Sequence, residues 1–81
     1  MKIKVLYFSS IKDKLKKVSE EIEIKESSTV EDLISVLKEK YPDISQNFDK
    51  VMIAVNEEYA EKEQKLKEGD IVAIIPPVSG G

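Results

Sequence analysis

Ser27-Ser28-Thr29-Val30-Glu31-Asp32-Leu33-Ile34-Ser35-Val36-Leu37-Lys38-Glu39-Lys40-Tyr41-Pro42 decides the fold, because it is a long helical pattern set between segments that alternate like strands. Ser28-Thr29-Val30-Glu31 has the form of a capping box, in which a hydroxyl and a carboxylate satisfy the first free amides of a helix. Val30, Leu33, Ile34, Leu37 and Tyr41 recur at helical spacing and make one apolar stripe. Lys38 and Lys40 fall near the end, where cations suit the helix dipole. Pro42 stops the helix by removing a donor and restricting the residue before it.

On the N-terminal side, Ile3-Lys4-Val5-Leu6-Tyr7-Phe8 alternates, with Ile3, Val5 and Tyr7 on one face and Lys4, Leu6 and Phe8 on the other. Residues 9–18 are polar and lysine-rich, with Ile11 and Leu15 as anchors. They fit either a long hairpin connection or a short helical turn. Glu21-Ile22-Glu23-Ile24-Lys25 is a second strand with one wet face. On the C-terminal side, residues 43–50 form a loop with Ile44 and Phe48 tucked inward. Val51-Met52-Ile53-Ala54-Val55 is nearly all apolar and reads as a central strand. Asn56-Glu57-Glu58 is a turn, since Asn tolerates left-handed geometry. Residues 59–65 are charged and ambiguous. Gly69-Asp70 is a second turn, with Gly69 free to take positive φ. Ile71-Val72-Ala73-Ile74-Ile75 lacks polar alternation, as expected of an interior strand covered on both sides.

One helix therefore crosses one face of a mixed sheet, and the helical crossover lets the first and last strands lie parallel at its centre. This is an α+β, two-layer, β-grasp arrangement. The uncovered face would carry Leu6, Phe8 and Ile75 as an apolar patch, a feature that often marks a partner site.

The chain has 81 residues, enough for one domain with a small core. We divide it into a β-grasp domain, residues 1–75, and an extended tail, residues 76–81. Without cysteine there is no disulfide, thiol nucleophile or thiolate metal site, and without histidine the commonest metal ligand and general base are missing. Asp13, Glu20-Glu21, Glu57-Glu58 and Asp70 read as solvated faces and turn residues rather than metal or acid–base pairs, with Asp70 holding its turn through backbone amides. The net charge of -3, with Lys and Glu interleaved, argues against nucleic acid as a partner. No long apolar run spans a membrane, the N-terminus does not resemble a signal peptide, and a cytoplasmic location fits.

The tail carries the functional signal. The sequence closes on Ile75-Pro76-Pro77-Val78-Ser79-Gly80-Gly81, which holds two of the three glycines. Pro76-Pro77 fixes φ twice and favours an extended, projecting backbone. Val78 and Ser79 are small, and a glycine end can slide down a narrow channel because nothing branches from it. The residues after Pro77 reach at most ~13 Å, enough to enter a docked partner's pocket. An α-carboxylate, with a pKa of about 3.5, is ionised at neutral pH and a poor electrophile. An ATP-dependent enzyme can convert it to an acyl-adenylate, which a sulfur nucleophile turns into a thiocarboxylate and an amine into an amide. The chain has no glycine-rich phosphate loop and no cysteine, so it would be a carrier rather than an enzyme acting alone. A solvated, inert tail is the alternative. Phe8 and Ile75 read as interface anchors beside the tail, and Tyr59 is either an anchor or ordinary packing under a loop.

These residues resemble the small subunit of molybdopterin synthase, a family of ubiquitin-like sulfur carriers, nearly end to end. The similar stretches are Ile3 to Phe8, Thr29-Val30-Glu31-Asp32-Leu33, Ala54-Val55-Asn56, Leu66, Gly69-Asp70 and Val72-Ala73. The most specific is Pro76-Pro77-Val78-Ser79-Gly80-Gly81. The resemblance implies that Gly81 is adenylated by a ubiquitin-activating-like enzyme using ATP and becomes a thiocarboxylate. It implies that Gly80 gives channel access and that the tail, Pro76 to Ser79 included, enters the large synthase subunit of a heterotetramer. Sulfur then goes to a cyclic pyranopterin monophosphate to make the dithiolene that holds molybdenum or tungsten. No cofactor would be bound by the carrier itself. Phe8, Tyr59 and Ile75 would lie at subunit contacts. The chain departs from the family at Lys16-Lys17, where a glycine is common, and at Tyr59 and Ile75, where an aliphatic residue and a phenylalanine are common. Two other classes compete: a sister carrier for thiamine synthesis or tRNA thiolation (or a protein modifier), and a non-covalent β-grasp module that would keep its function without Gly81.

Overall fold

A computed structural model describes residues 1–77. Five strands, β1 (Lys2–Tyr7), β2 (Ser19–Glu23), β3 (Met52–Val55), β4 (Glu58–Tyr59) and β5 (Ile71–Ile75), form one sheet in the order β2-β1-β5-β3-β4. β1 and β5 run parallel at the centre, with Lys4 opposite Ile71 and Tyr7 opposite Ile74, and the remaining pairs are antiparallel. This is the β-grasp order expected from the alternation and the crossover helix.

That helix, α2 (Val30–Lys40), buries Val30, Leu33 and Leu37 against Ile3, Val5, Tyr7, Val72 and Ile74 of the central strands. Its cap sits one residue later than the motif suggests. Thr29, not Ser28, is the N-cap: Thr29 Oγ1 accepts from the Asp32 amide at 3.2 Å, and Asp32 Oδ2 accepts from the Thr29 amide at 2.9 Å. Ser-x-x-Glu and Thr-x-x-Asp both fit the capping pattern, and tertiary contact chooses between them. The Ser28 carbonyl accepts from the Leu66 amide at 2.8 Å, which holds Ser28 outside the helix. The ambiguous charged segment completes the cap. Carbonyls of Gln64 and Lys62 accept from the Val30 and Glu31 amides at 2.9 and 3.0 Å, taking up donors that a helix start leaves free.

Residues 9–18 resolve as a short helix, α1 (Ser9–Leu15), which buries Ile11 and ends at Lys16 in left-handed geometry. A kinked 3-10 helix, Pro42–Phe48, replaces the loop expected after α2, and Phe48 is buried as expected. Lys38 also bonds to Asp49 beyond this segment. β5 departs from expectation more instructively. It is central, but it is not covered on both sides: Val72 and Ile74 are buried, whereas Ile71 is exposed and Ala73 and Ile75 are half-buried. Its second apolar face fronts the open side of the sheet.

Candidate functional site

Pairing register assembles the open face. Leu6 lies opposite Ala73, Ala73 opposite Ala54 and Ala54 opposite Tyr59, so one row of side chains crosses β1, β5, β3 and β4. In the neighbouring row Ile75 lies opposite Met52. Phe8 stays extended (φ -130°, ψ 156°) and keeps the parity of Leu6 before α1 begins. The result is a hollow of about 710 Å³ floored by Ala54 and Ala73 and walled by Leu6, Phe8, Tyr59, Ile71 and Ile75. Phe8 is 43% exposed and Tyr59 73%, although both are large and apolar-bodied. All three expected anchors, Phe8, Tyr59 and Ile75, thus meet on one surface. The open choice for Tyr59 resolves towards exposure, because β4 sets it on the rim. The sequence reading missed Ala54 and Ala73. The parity of each was legible in its strand, but the β3–β5 pairing that sets them side by side was not.

Turns hold this face in place. Asn56 (φ 51°) and Glu57 (φ 73°) form the two-residue β3–β4 turn, and consecutive positive φ values match the twist of a tight hairpin. The Asn56 side chain donates to Asp70 Oδ1 at 3.0 Å and accepts from the Ile71 amide at 3.0 Å. Asp70 is buried and its Oδ2 accepts from the Lys67 amide at 2.8 Å, so it holds its turn as expected. Gly69 (φ 84°) supplies the conformation that other residues resist. Together these bonds tie the start of β5 to the end of β3, which fixes the spacing of the alanine row.

The tail root lies at the hollow's edge. Ile75 is in the wall, Pro76 is buried and Pro77 is exposed. Val78, Ser79, Gly80 and Gly81, the tail residues expected to carry the chemistry, lie outside the described residues.

One acidic residue read as solvated is not. The Glu20 side chain is only 11% exposed and takes four contacts, one from each of four side chains. Tyr7 and Tyr41 hydroxyls donate to Oε2 at 2.5 Å each, and Lys17 and Lys40 approach Oε1 at 3.3 and 3.2 Å. Burial alone would push this carboxyl up. The Tyr41 and Tyr7 bonds, then Lys40 and Lys17, outweigh burial and hold it at about 2. Burial, reinforced by Glu20, pushes the Tyr7 phenol well above its usual range. Lys17 is raised by its bonds to Tyr41 and Glu20. This hub joins β1, β2 and the end of α2. Its tyrosine partners lie 13 and 21 residues from Glu20 in sequence, which is why spacing did not reveal it. Among the described residues no group of three or more acidic side chains is placed to hold a metal ion, and no helix is long and apolar enough to cross a membrane.

Sheet order, single crossover helix and apolar open face define a ubiquitin-like β-grasp protein. Residues 5–81 match the model of the ThiS family, and the chain belongs to that family. The molybdopterin synthase sulfur carrier subunit of Dictyostelium discoideum is 42% identical over 81 residues, spanning 96% of this chain and 94% of that protein. A solved structure described as a putative molybdopterin converting factor subunit 1, from Pyrococcus furiosus, aligns with a TM-score of 0.85 at 35% identity, covering 96% of this chain and 99% of that one. A chain in the complex of subunits 1 and 2 of molybdopterin-converting factor from Helicobacter pylori aligns over 100% of both chains, with a TM-score of 0.73 at 27% identity.

Proposed function

We propose that this protein is the sulfur carrier subunit of molybdopterin synthase, with residues 1–75 as the platform and residues 76–81 as the reactive tail. The observation that carries this is the junction of two features: the Pro76-Pro77-Val78-Ser79-Gly80-Gly81 ending and an exposed apolar face whose wall includes the tail root. The full-length similarity to sulfur carrier subunits supports it. The Helicobacter pylori complex supports a large subunit as the partner that docks here.

The chemistry follows from the terminal group. The Gly81 carboxylate attacks the α-phosphorus of ATP on a separate adenylating enzyme and releases pyrophosphate. Hydrosulfide, or a persulfide whose S–S bond a thiol then reduces, displaces AMP and leaves the thiocarboxylate. In the large subunit the thiocarboxylate sulfur attacks an oxygen-bearing side-chain carbon of the cyclic pyranopterin precursor, the new C–S bond replacing a C–O bond whose oxygen leaves with phosphate or as water. A further water hydrolyses the S–acyl bond to return the carboxylate and leave the sulfur on the pterin. A dithiolene holds two sulfurs and each loaded tail brings one, so two loaded carriers are consumed per product. Gly80 keeps the channel free of side chains, and Phe8, Tyr59 and Ile75 dock the platform. Neither activation nor transfer requires a cofactor on this chain, and both steps fit a cytoplasmic setting where ATP is available.

Reconstitution tests this. The large subunit from the same genome, the precursor and the activation system should yield molybdopterin with the full chain and none with Gly81 deleted. Product formation by the deleted chain would contradict the proposal. A loaded carrier that never supports molybdopterin formation would point to a sister sulfur-transfer pathway.

A further inference from the structure

The open-face hollow has a floor unlike its walls. Ala54 and Ala73 face each other across neighbouring strands, and both side chains stop at Cβ. Leu6 and Tyr59 continue the row to either side, and Phe8 and Ile75 rise towards the tail root. Alanine is a poor strand residue, so two of them side by side in interior strands forgo local stability for shape. The walls offer little to a polar guest. The Asn56 amide is already bonded to Asp70 and to the Ile71 backbone, and among the described residues Glu57 is the one charged residue in the lining. A polar group seated over the alanines would lose its water without gaining a partner.

The tail decides what covers this hollow. Six residues follow Ile75, and the four beyond Pro77 reach at most ~13 Å fully extended. A protein whose active site receives Gly81 must therefore bring its own surface to the hollow's edge. We propose that Ala54 and Ala73 form the floor of a socket for one bulky apolar side chain, leucine-sized or aromatic, of the large subunit that takes the tail. The socket sets which large subunit the carrier accepts. This rests on the sulfur-carrier function proposed above, and it assigns partner choice to two residues of the sheet rather than of the reactive tail.

Filling the socket tests it. Ala73→Leu places its added atoms on the open side, away from the core, and Ala54→Leu is the second fill should the first lower the melting temperature. Binding of the unmodified full chain to the large subunit from the same genome is measured by calorimetry, with melting measured alongside. The expected result is affinity weakened more than about tenfold, as for loss of a central interface anchor, at unchanged melting temperature. Truncating the seated large-subunit side chain to alanine should restore part of that loss. Affinity within about twofold of wild type in a folded fill variant would overturn the socket. So would a fill that only converts a wild-type dimer to monomer, since the face would then belong to a second copy. No binding by the wild-type chain would overturn the carrier function itself, and the socket with it.

Discussion

The two faces of the sheet are built by the same strands, and they differ in what closes them. On one face Ile3, Val5, Tyr7, Val72 and Ile74 are sealed by α2 within the chain. On the other, Leu6, Ala73, Ile75, Ala54 and Tyr59 share the opposite parity, and among the described residues no further layer covers them. Both faces are apolar at their centre, so hydrophobicity alone does not separate the core from the open surface. Size separates them: the covered face carries branched and aromatic side chains, whereas the open face is hollowed by two alanines.

The sharpest way to break this contrast is a matched pair of truncations. Leu33→Ala removes a fully buried side chain of α2 and should cost about 2–5 kcal/mol of folding stability. Phe8→Ala removes a side chain of similar bulk from the open face and should cost less than about 0.5 kcal/mol in folding, while weakening large-subunit binding. Denaturant titration of both variants checks the first half and calorimetry the second. Comparable folding losses would mean that the open face is part of the core.

A smaller effect is expected at the Glu20 hub, which serves the covered side. Glu20→Gln should cost about 1–2 kcal/mol at neutral pH, after allowance for solvent screening of partly exposed partners. The sign is set by a folded pKa depressed from 4.5 to about 2. The stabilisation is complete above the unfolded carboxylate pKa and is lost as pH falls through the folded one. The advantage of wild type over Glu20→Gln should therefore persist at pH 7 and shrink between about pH 4.5 and 2. A difference independent of pH in that window would show that the hub acts by shape rather than charge.

What the sequence disclosed follows from these physical distinctions. The strand parity of Ile3 to Phe8, the apolar stripe of α2 and the Asn56 and Asp70 turns are local signals, and each appears as expected. The β5 pattern misled because both of its faces are apolar, although only one of them is covered by α2. The cap register of Thr29 and the Glu20 hub were illegible because residues far along the chain decide them: Leu66 for the cap, Tyr7 and Tyr41 for the carboxylate. α1 was hard to read because it spans seven residues, lacks a side-chain cap and buries only Ile11 completely. On the site itself, Phe8 and Ile75 followed from parity and register. The hollow between them required knowing that Ala54 and Ala73 are neighbours.

The proposed sulfur-carrier function turns on one claim, that Gly81 takes up the sulfur. Intact mass spectrometry after incubation with ATP, a sulfur source and the host's adenylating enzyme tests it most directly. The expected result is exchange of one carboxylate oxygen for sulfur, localised to Gly81 by fragmentation and so distinguished from oxidation of Met1 or Met52, which shifts the nominal mass equally. An unmodified Gly81, with the same enzyme active on a known carrier, would contradict the account.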